Sequence, residues 1–229
     1  IKILTEAEIA ELFGPPILSS NDQRFFFTLN DAELAECNRI RERDHRCMFV
    51  VLLGYFKVKP IMLSPGYHQI KQDLKYVCSE VFPGPGLRPF NLTQKARVRI
   101  YQRIFKLTGH QRWLNKSHSS ALIKDLNEHA RAWGQPRSLF DRAIECLSAQ
   151  KVAIPGYTVL QDLISEVVGV TNDQFVRKLE ELISADLAVM LSELVIGNNS
   201  LTLRQLRQSA RNFTGTELEK ELTVLSYIQ

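Results

Sequence analysis

Apolar residues recur every three or four positions along most of the chain, which is the periodicity of amphipathic helices. Residues 48–56 are almost wholly apolar and predict a buried central helix, which ends by Pro60 because proline cannot continue a helix. In residues 95–106 an apolar side is opposed by a cationic side at helical spacing. The pattern predicts an all-α protein.

Capping residues indicate where several of these helices begin. Thr5 and Glu8 have the spacing of a capping box, so a helix is expected over residues 6–13. Thr93 is placed to cap the cationic helix, and Gly109 to end it. Helices that carry such signals at their ends have the best-defined limits in the chain.

Two regions give a different expectation. Residues 17–30 lack the helical pattern, and we expect irregular chain there until Asn30 or Asp31 caps the next helix. Further on, Asn172 or Asp173 is expected to cap a new amphipathic helix, because both residue types favour the N-cap position. The long apolar pattern that precedes them would then end before residue 172.

The clearest linker sequence is the Pro/Gly-rich stretch at residues 83–92. We expect it to separate two small helical lobes of helix–turn–helix type, residues 1–82 and residues 93–196, followed by a helical extension over residues 197–229. Because the sequence begins at Ile1 and stops inside a helical pattern, we expect a fragment of something longer.

The net charge of +4 is distributed unevenly. Residues 86–151 carry thirteen basic and four acidic residues, and no acidic residue lies between Glu80 and Asp125. Such segregation is typical of proteins that bind a phosphate backbone, because each neutralised phosphate releases condensed counterions. A solvated helix face is the alternative, but solvated faces usually mix both signs. The charge pattern therefore favours a nucleic-acid partner.

The candidate DNA contacts form two clusters of basic and hydroxyl side chains. The first lobe contributes Arg39, Arg41, Arg43, His45 and Arg46, and the second contributes Arg88, Lys95, Arg97, Arg99, Arg103, Lys106, Arg112, Lys116, Ser119 and Arg137. At any single position a solubilising surface charge explains the residue as well as a phosphate contact does. Trp113 and Trp133 are better explained as core residues than as stacking platforms for bases.

The sequence holds no signature of catalysis, of a metal site or of a cofactor. Four cysteines without a CxxC pair and five histidines without metal-ligand spacing predict neither a zinc site nor disulfides, so buried free thiols are expected. No phosphate-binding loop and no nucleophile–base motif is present. No apolar run approaches a membrane span, and without a targeting segment a cytoplasmic protein is expected.

Four segments in order resemble the class II (Tn-three-type) replicative transposases. They are residues 3–8 (ILTEAE), 27–34 (FTLNDAEL), 41–53 (RERDHRCMFVVLL) and 149–160 (AQKVAIPGYTVL). The resemblance implies the amino-terminal region of such an enzyme, which recognises the terminal inverted repeats of the transposon through helical DNA-binding lobes. It also implies that the catalytic acidic triad lies much further along, so this chain is expected to bind DNA, at the nucleoid, without cutting it.

Two alternatives remain open at this stage. The first is a helical module for protein interaction or self-association, which would use the acidic region of residues 152–203. The second is an RNA-binding regulator, which is disfavoured because the sequence has no interleaved aromatic residues of an RNA-recognition module.

Overall fold

A computed structural model describes residues 1–84, 87–131 and 134–182, together with residue 189. Within these residues the chain is all-α, as the periodicity predicts, and its only extended pairings are two isolated bridges. Among the described helices, none is both long enough and apolar enough to cross a membrane. The chain divides into two compact units, residues 1–172 and residues 173–229.

The described part of the chain forms nine α-helices joined by short loops. They are α1 (Glu6–Phe13), α2 (Ser20–Phe27), α3 (Asp31–Asn38), α4 (Arg43–Val58), α5 (Lys71–Tyr76), α6 (Gln94–Thr108), α7 (Asn115–Ala130), α8 (Pro136–Ala149) and α9 (Tyr157–Leu182). A short 3₁₀ turn (Tyr67–Gln69) precedes α5, and a π-helical turn (Val77–Val81) follows it.

The first helices begin where the caps predict. The hydroxyl of Thr5 accepts the backbone N–H of Glu8 at 3.3 Å, and a carboxylate oxygen of Glu8 accepts the N–H of Thr5 at 2.8 Å. Asn30 and Glu33 make the same reciprocal pair before α3. Each pair satisfies two amide groups that an isolated helix end leaves without a partner, so both predicted starts are confirmed.

The expectation of irregular chain over residues 17–30 was wrong, because α2 occupies most of it. Ser19 and Asp22 form a third capping box: the Ser19 N–H donates to Asp22 Oδ2 at 3.0 Å, and the Asp22 N–H donates to Ser19 Oγ at 3.2 Å. Phe27 at the end of α2 is fully buried. Tertiary burial of this ring therefore outweighs the low helix propensity of three consecutive phenylalanines.

Helix α4 is the centre of the first unit, as its apolar sequence predicts. Every residue of α4 from Cys47 to Phe56 is buried, and α2, α3, α5 and α6 pack around it. Gly54 lets α2 approach closely, since a Cβ atom at this position would lie 2.5 Å from Cδ1 of Phe27. The rings of Phe56 and Phe105 meet edge to face at 5.6 Å and join α4 to α6.

A buried extended segment, residues 152–154, connects distant parts of the first unit. The N–H of Ile154 donates to the carbonyl of Pro60 at 2.9 Å. One residue earlier, the N–H of Ala153 donates to the carbonyl of Gln111 at 2.8 Å, and the N–H of Gln111 donates to the carbonyl of Lys151 at 2.7 Å. The segment thus lies between two loops that are about fifty residues apart in sequence.

The amino terminus also packs on the last helices of this unit. The hydroxyl of Tyr157 accepts the backbone N–H groups of Ile3 and Leu4, each at 3.2 Å. The ring of Phe13 on α1 lies 6.2 Å from the ring of Phe140 on α8. The first compact unit therefore contains parts of both expected lobes, and the chain divides at residue 172 rather than within residues 83–92.

Helix α9 continues past the expected start of a new helix, so that expectation was wrong. It runs without a break from Tyr157 to Leu182, and Asn172 and Asp173 lie in its interior. Neither residue caps a helix there. An exposed Asn or Asp in a helix interior lowers the stability of the helix by only a few tenths of a kcal/mol to about 0.7 kcal/mol, so the helix continues through both residues. The helical extension expected over residues 197–229 falls outside the described residues.

Candidate nucleic-acid interface

The structure brings members of both predicted basic clusters together at one groove. The groove has a volume of about 610 Å³ and lies between the loop that joins α3 to α4 and the first half of α6. Its lining residues are Arg39, Ile40, Arg41, Glu42, His45, Thr93, Lys95, Ala96, Arg99, Ile100 and Arg103. We call this site the basic groove.

Helix α6 forms one wall of the basic groove. Lys95, Arg99 and Arg103 lie one helical turn apart and face the groove, while Ile104 and Phe105 are buried and do not line it. The hydroxyl of Thr93 accepts the backbone N–H of Ala96 at 3.2 Å and so begins the helix at the groove. The first turn holds no acidic residue, so the positive end of the helix dipole adds to the three side-chain charges.

The loop before α4 and the first turn of that helix form the other wall. Arg39 and Arg41 are exposed there, beside the half-buried His45. Glu42 is the one acidic residue among those that line the groove, and its Oε2 lies 3.1 Å from Nδ1 of His45. Both walls therefore present cations to the same space.

Glu36 on α3 joins the two walls. This carboxylate is 8% exposed, and its Oε1 lies 2.5 Å from Nη1 of Arg39 while its Oε2 lies 2.8 Å from Nη1 of Arg103. Nζ of Lys106 is 3.4 Å from Oε1. Burial by itself raises the pKa of Glu36, but the hydrogen bonds from Arg103 and Lys106 and the charge of Arg39 outweigh it, so the pKa lies below its ordinary value. Glu36 is therefore a permanent anion at neutral pH.

Other predicted DNA contacts hold the protein's own backbone. Nη2 of Arg43 donates to the carbonyl of Phe82 at 2.9 Å, and the guanidinium carbon of Arg46 lies 5.5 Å from the centre of the Phe82 ring. Nη2 of Arg97 is 3.5 Å from the carbonyl oxygen of Leu92. These arginines contact the two ends of the Pro/Gly-rich stretch. The sequence does not indicate these contacts.

The remaining predicted contacts do not line the basic groove. Arg88 and Arg112 are exposed elsewhere, and Ser119 is half-buried on α7. Nη1 of Arg137 binds Glu8 at 2.6 Å, and this contact connects α8 to α1. The side chain of Lys116 lies outside the described residues, as does Trp133. Five of the fifteen predicted residues besides His45 thus meet at the groove: Arg39, Arg41, Lys95, Arg99 and Arg103.

Glu36 is the residue that the sequence reasoning missed. Its position three residues before Arg39 is the spacing of an ion pair on one helix, and this was the available signal. The sequence gives no sign of the second pair, with Arg103, because the two residues are 67 positions apart.

The described part of the chain contains no cluster of three or more histidine, cysteine or acidic side chains able to hold a metal ion. Cys37, Cys47 and Cys78 are buried free thiols, and Cys146 is half-buried, with its thiol donating to Oδ2 of Asp125 at 3.0 Å. Burial raises the pKa of Cys37 to about 11, so this thiol is a weak nucleophile at neutral pH.

Fold and groove together define the class of this protein: an all-α unit that carries a cationic groove between the α3–α4 loop and α6. Within that class the chain belongs to a recognised family, because the family model described as a domain of unknown function, DUF4158, matches residues 3–167. The matched region includes both walls of the groove and nearly all of the first compact unit. No curated protein matches the chain significantly.

Proposed function

We propose that this chain binds double-stranded DNA and that the basic groove contacts the phosphate backbone. The observation that carries the proposal is the meeting of Arg39, Arg41, Lys95, Arg99 and Arg103 around one groove. Arginine and lysine side chains on two elements match a phosphate backbone better than they match a small ligand, because cations line both walls of a groove that runs along a helix.

The target that we propose is the terminal inverted repeat of a transposable element. Two observations support it: the four ordered segments that resemble class II replicative transposases, and membership of a family found in transposase-like proteins. In this proposal the chain is a non-catalytic DNA-binding region of such a transposase. The catalytic acidic residues would lie in another part of the full protein.

Duplex binding is tested by fluorescence anisotropy with the element's own inverted repeat and a scrambled duplex of equal length. We expect tighter binding to the repeat and an affinity that falls steeply with salt. Equal affinity for both duplexes would contradict repeat recognition and leave general duplex binding in place. Absence of binding at low salt would contradict the proposal as a whole.

The role of the groove is tested by charge reversal. Arg99→Glu and Arg41→Glu, one on each wall, are each expected to weaken duplex binding by roughly ten-fold or more and to reduce the salt dependence. Arg177→Glu is the matched control, because Arg177 is an exposed arginine in the interior of α9 and outside the groove. If Arg99→Glu and Arg41→Glu bind the duplex as tightly as the control Arg177→Glu does, the groove is not the contact surface.

A second candidate function is self-association through α9. Phe175, Val176 and Leu179 on its last turns are 62%, 49% and 39% exposed, which is unusual for three large apolar residues on one helix. If this surface assembles copies of the chain, Phe175→Ser will shift the sedimentation profile towards the monomer. If the wild-type chain sediments as a monomer and Phe175→Ser gives the same profile, this candidate is contradicted.

A further inference from the structure

Glu36 is an anion beside a groove that is proposed to bind an anion, and simple electrostatics would make it a disadvantage. It lies on α3, is buried, and does not itself line the groove. Its two carboxylate oxygens reach different walls: Oε1 contacts Arg39 of the α3–α4 loop, and Oε2 contacts Arg103 of α6. It is therefore the direct ionic link between the two walls.

We propose that Glu36 is a positioning residue for the groove: it holds the guanidinium groups of Arg39 and Arg103 in place on the two walls, where each binds a phosphate of the DNA backbone. This inference rests on the proposed DNA-binding function. Partly exposed arginines lose side-chain entropy when they bind phosphate. A carboxylate that already orders them reduces this loss at the moment of binding.

The contacts of Glu36 leave donors on both arginines for a second anion. Among the described contacts, Glu36 engages Nη1 of Arg39 and Nη1 of Arg103. A guanidinium group has five N–H donors in a rigid plane, so Nη2 and Nε of each can bind a phosphate while Nη1 stays on Glu36. The side chain of Arg39 is 62% exposed and that of Arg103 is 32% exposed, so solvent and a duplex reach both.

Lys106 extends the same network by one turn of α6. Its Nζ lies 3.4 Å from Oε1 of Glu36, and its side chain is 72% exposed. Three cations around one carboxylate leave the cluster with a net positive charge, so the cluster still attracts a phosphate. The buried anion thus orders the cations without neutralising them.

Positioning and repulsion predict opposite results for Glu36→Gln. If Glu36 only repels DNA, removing its charge tightens binding. If it positions the arginines, Glu36→Gln weakens duplex binding by roughly five- to ten-fold and lowers the slope of log affinity against log salt by about one phosphate contact. The slope is the decisive readout, because a merely structural role does not change the number of phosphates neutralised by a folded protein.

Glu33→Gln is the matched control. Glu33 is also a buried acid on α3, one turn earlier, and it pairs with Nζ of Lys57 at 2.8 Å away from the groove. Both substitutions remove a buried charge from the same helix, and glutamine at position 33 can still accept the N–H of Asn30 in the capping box, so both affect folding stability in a similar way. Only Glu36→Gln is expected to change the salt slope.

The experiment measures anisotropy of a labelled duplex at several salt concentrations for the wild-type chain and the variants, at a temperature where circular dichroism shows each to be folded. Arg103→Lys serves as a second variant, because it keeps the charge but removes the guanidinium fork, and it leaves the buried carboxylate of Glu36 in place. We expect the same loss of slope in both variants. Unchanged or tighter binding with an unchanged slope, in either variant, overturns the positioning role.

The failure of this inference can be told apart from the failure of the proposed function. If the wild-type chain does not bind duplex DNA, or if Arg99→Glu binds as the wild type does, the proposed function itself is wrong. If Arg99→Glu abolishes binding while Glu36→Gln and Arg103→Lys keep the wild-type slope, the groove binds DNA and Glu36 does not position its arginines.

Discussion

Charged residues in this protein divide into those that join elements of the fold and those that line the groove. Nε and Nη2 of Arg142 each donate to a carboxylate oxygen of Asp125 at 2.9 Å, which joins α8 to α7. Arg137 joins α8 to α1 through Glu8. Arg41 and Arg99 are exposed on the groove instead. The number of basic residues therefore overstates the number that line the groove.

The link between Glu8 and Arg137 predicts a pH-dependent contribution to folding stability. The backbone N–H of Thr5 and then the guanidinium of Arg137 lower the pKa of Glu8 from 4.5 to about 2. Because the folded-state pKa is depressed, the contribution is complete above pH 4.5 and is lost as the pH falls towards 2. Glu8→Gln is expected to be less stable than the wild type at pH 7, and this difference is expected to shrink in acid.

Urea unfolding followed by circular dichroism at a series of pH values measures this difference. Glu6→Gln is the control, since it removes a charge from the same first turn without touching Thr5 or Arg137. A Glu8→Gln penalty that stays the same from neutral pH down to pH 2 would show that the carboxylate does not act through its charge.

At the scale of single residues, sequence reasoning identified clusters of cations but not the groups that those cations contact. It identified the cluster around Arg41 and the stripe through Arg99, because charge and helical spacing are both local properties. It had no means of assigning Arg43 to the carbonyl of Phe82, or Arg137 to Glu8 at 129 positions away. Such pairings depend on tertiary contacts that no local pattern encodes.

Helices α2 and α4 approach each other closely at Gly54. Replacing this residue by alanine places a methyl group against the fully buried ring of Phe27 and near the carbonyl of Phe26. We expect Gly54→Ala to destabilise the protein by about 1–3 kcal/mol, the usual cost of an overpacked core. Equilibrium unfolding in urea measures it.

Gly169→Ala is the matched control for this prediction. Gly169 lies inside α9, and nothing is within 4 Å of where its Cβ would be. Alanine there is expected to stabilise the protein by about 0.5–1 kcal/mol, because it reduces the entropy of the unfolded chain without meeting any atom. Equal effects of the two substitutions would contradict the close packing of α2 on α4.

The end of the cationic helix α6 depends on Gly109. This residue has a φ of 70°, and nothing lies within 4 Å of where a side chain would begin. Gly109→Ala is therefore expected to cost about 1 kcal/mol through backbone strain alone. Gly109→Asn is expected to cost less, because asparagine tolerates this conformation better; thermal unfolding of both variants compares them, and a greater cost for asparagine would contradict the argument.

At the scale of elements, the starts of α1, α3 and α6 were predictable because their capping residues act locally. The start of α2 was missed although Ser19 and Asp22 carry a capping pair, since the three phenylalanines that follow resemble a strand. The expected break at Asn172 was wrong for a related reason. A residue type that favours the N-cap position does not start a new helix when the residues on both sides of it continue the same helix.

For the molecule as a whole, the first unit depends on contacts between its beginning and its end. The fragment of residues 1–92 keeps α4 but loses α6, so it exposes Phe56, which is 2% exposed in the intact unit. It also loses Tyr157, which binds the backbone of Ile3. We expect this fragment to show no cooperative unfolding transition, while residues 1–172 unfold cooperatively.

Circular dichroism and calorimetry on the two fragments test this expectation. A sharp unfolding transition in residues 1–92 alone would support an independent first lobe of the kind that the Pro/Gly-rich stretch suggests. The sequence pattern favours such a lobe because a linker composition is a local signal. The hydrogen bond from Ile154 to Pro60, which joins the two expected lobes, spans 94 positions, and no local sequence pattern indicates it.

The buried segment that ends at Ile154 also sets an order of events during synthesis. A growing chain emerges amino end first, and both walls of the groove are outside the ribosome before the residues that pair with Pro60 and Gln111 are made. Until then these long-range hydrogen bonds are missing, and contacts of this kind form slowly. A nascent chain of this protein therefore has its cationic residues exposed before the segment that ends at Ile154 joins the loops at Pro60 and Gln111.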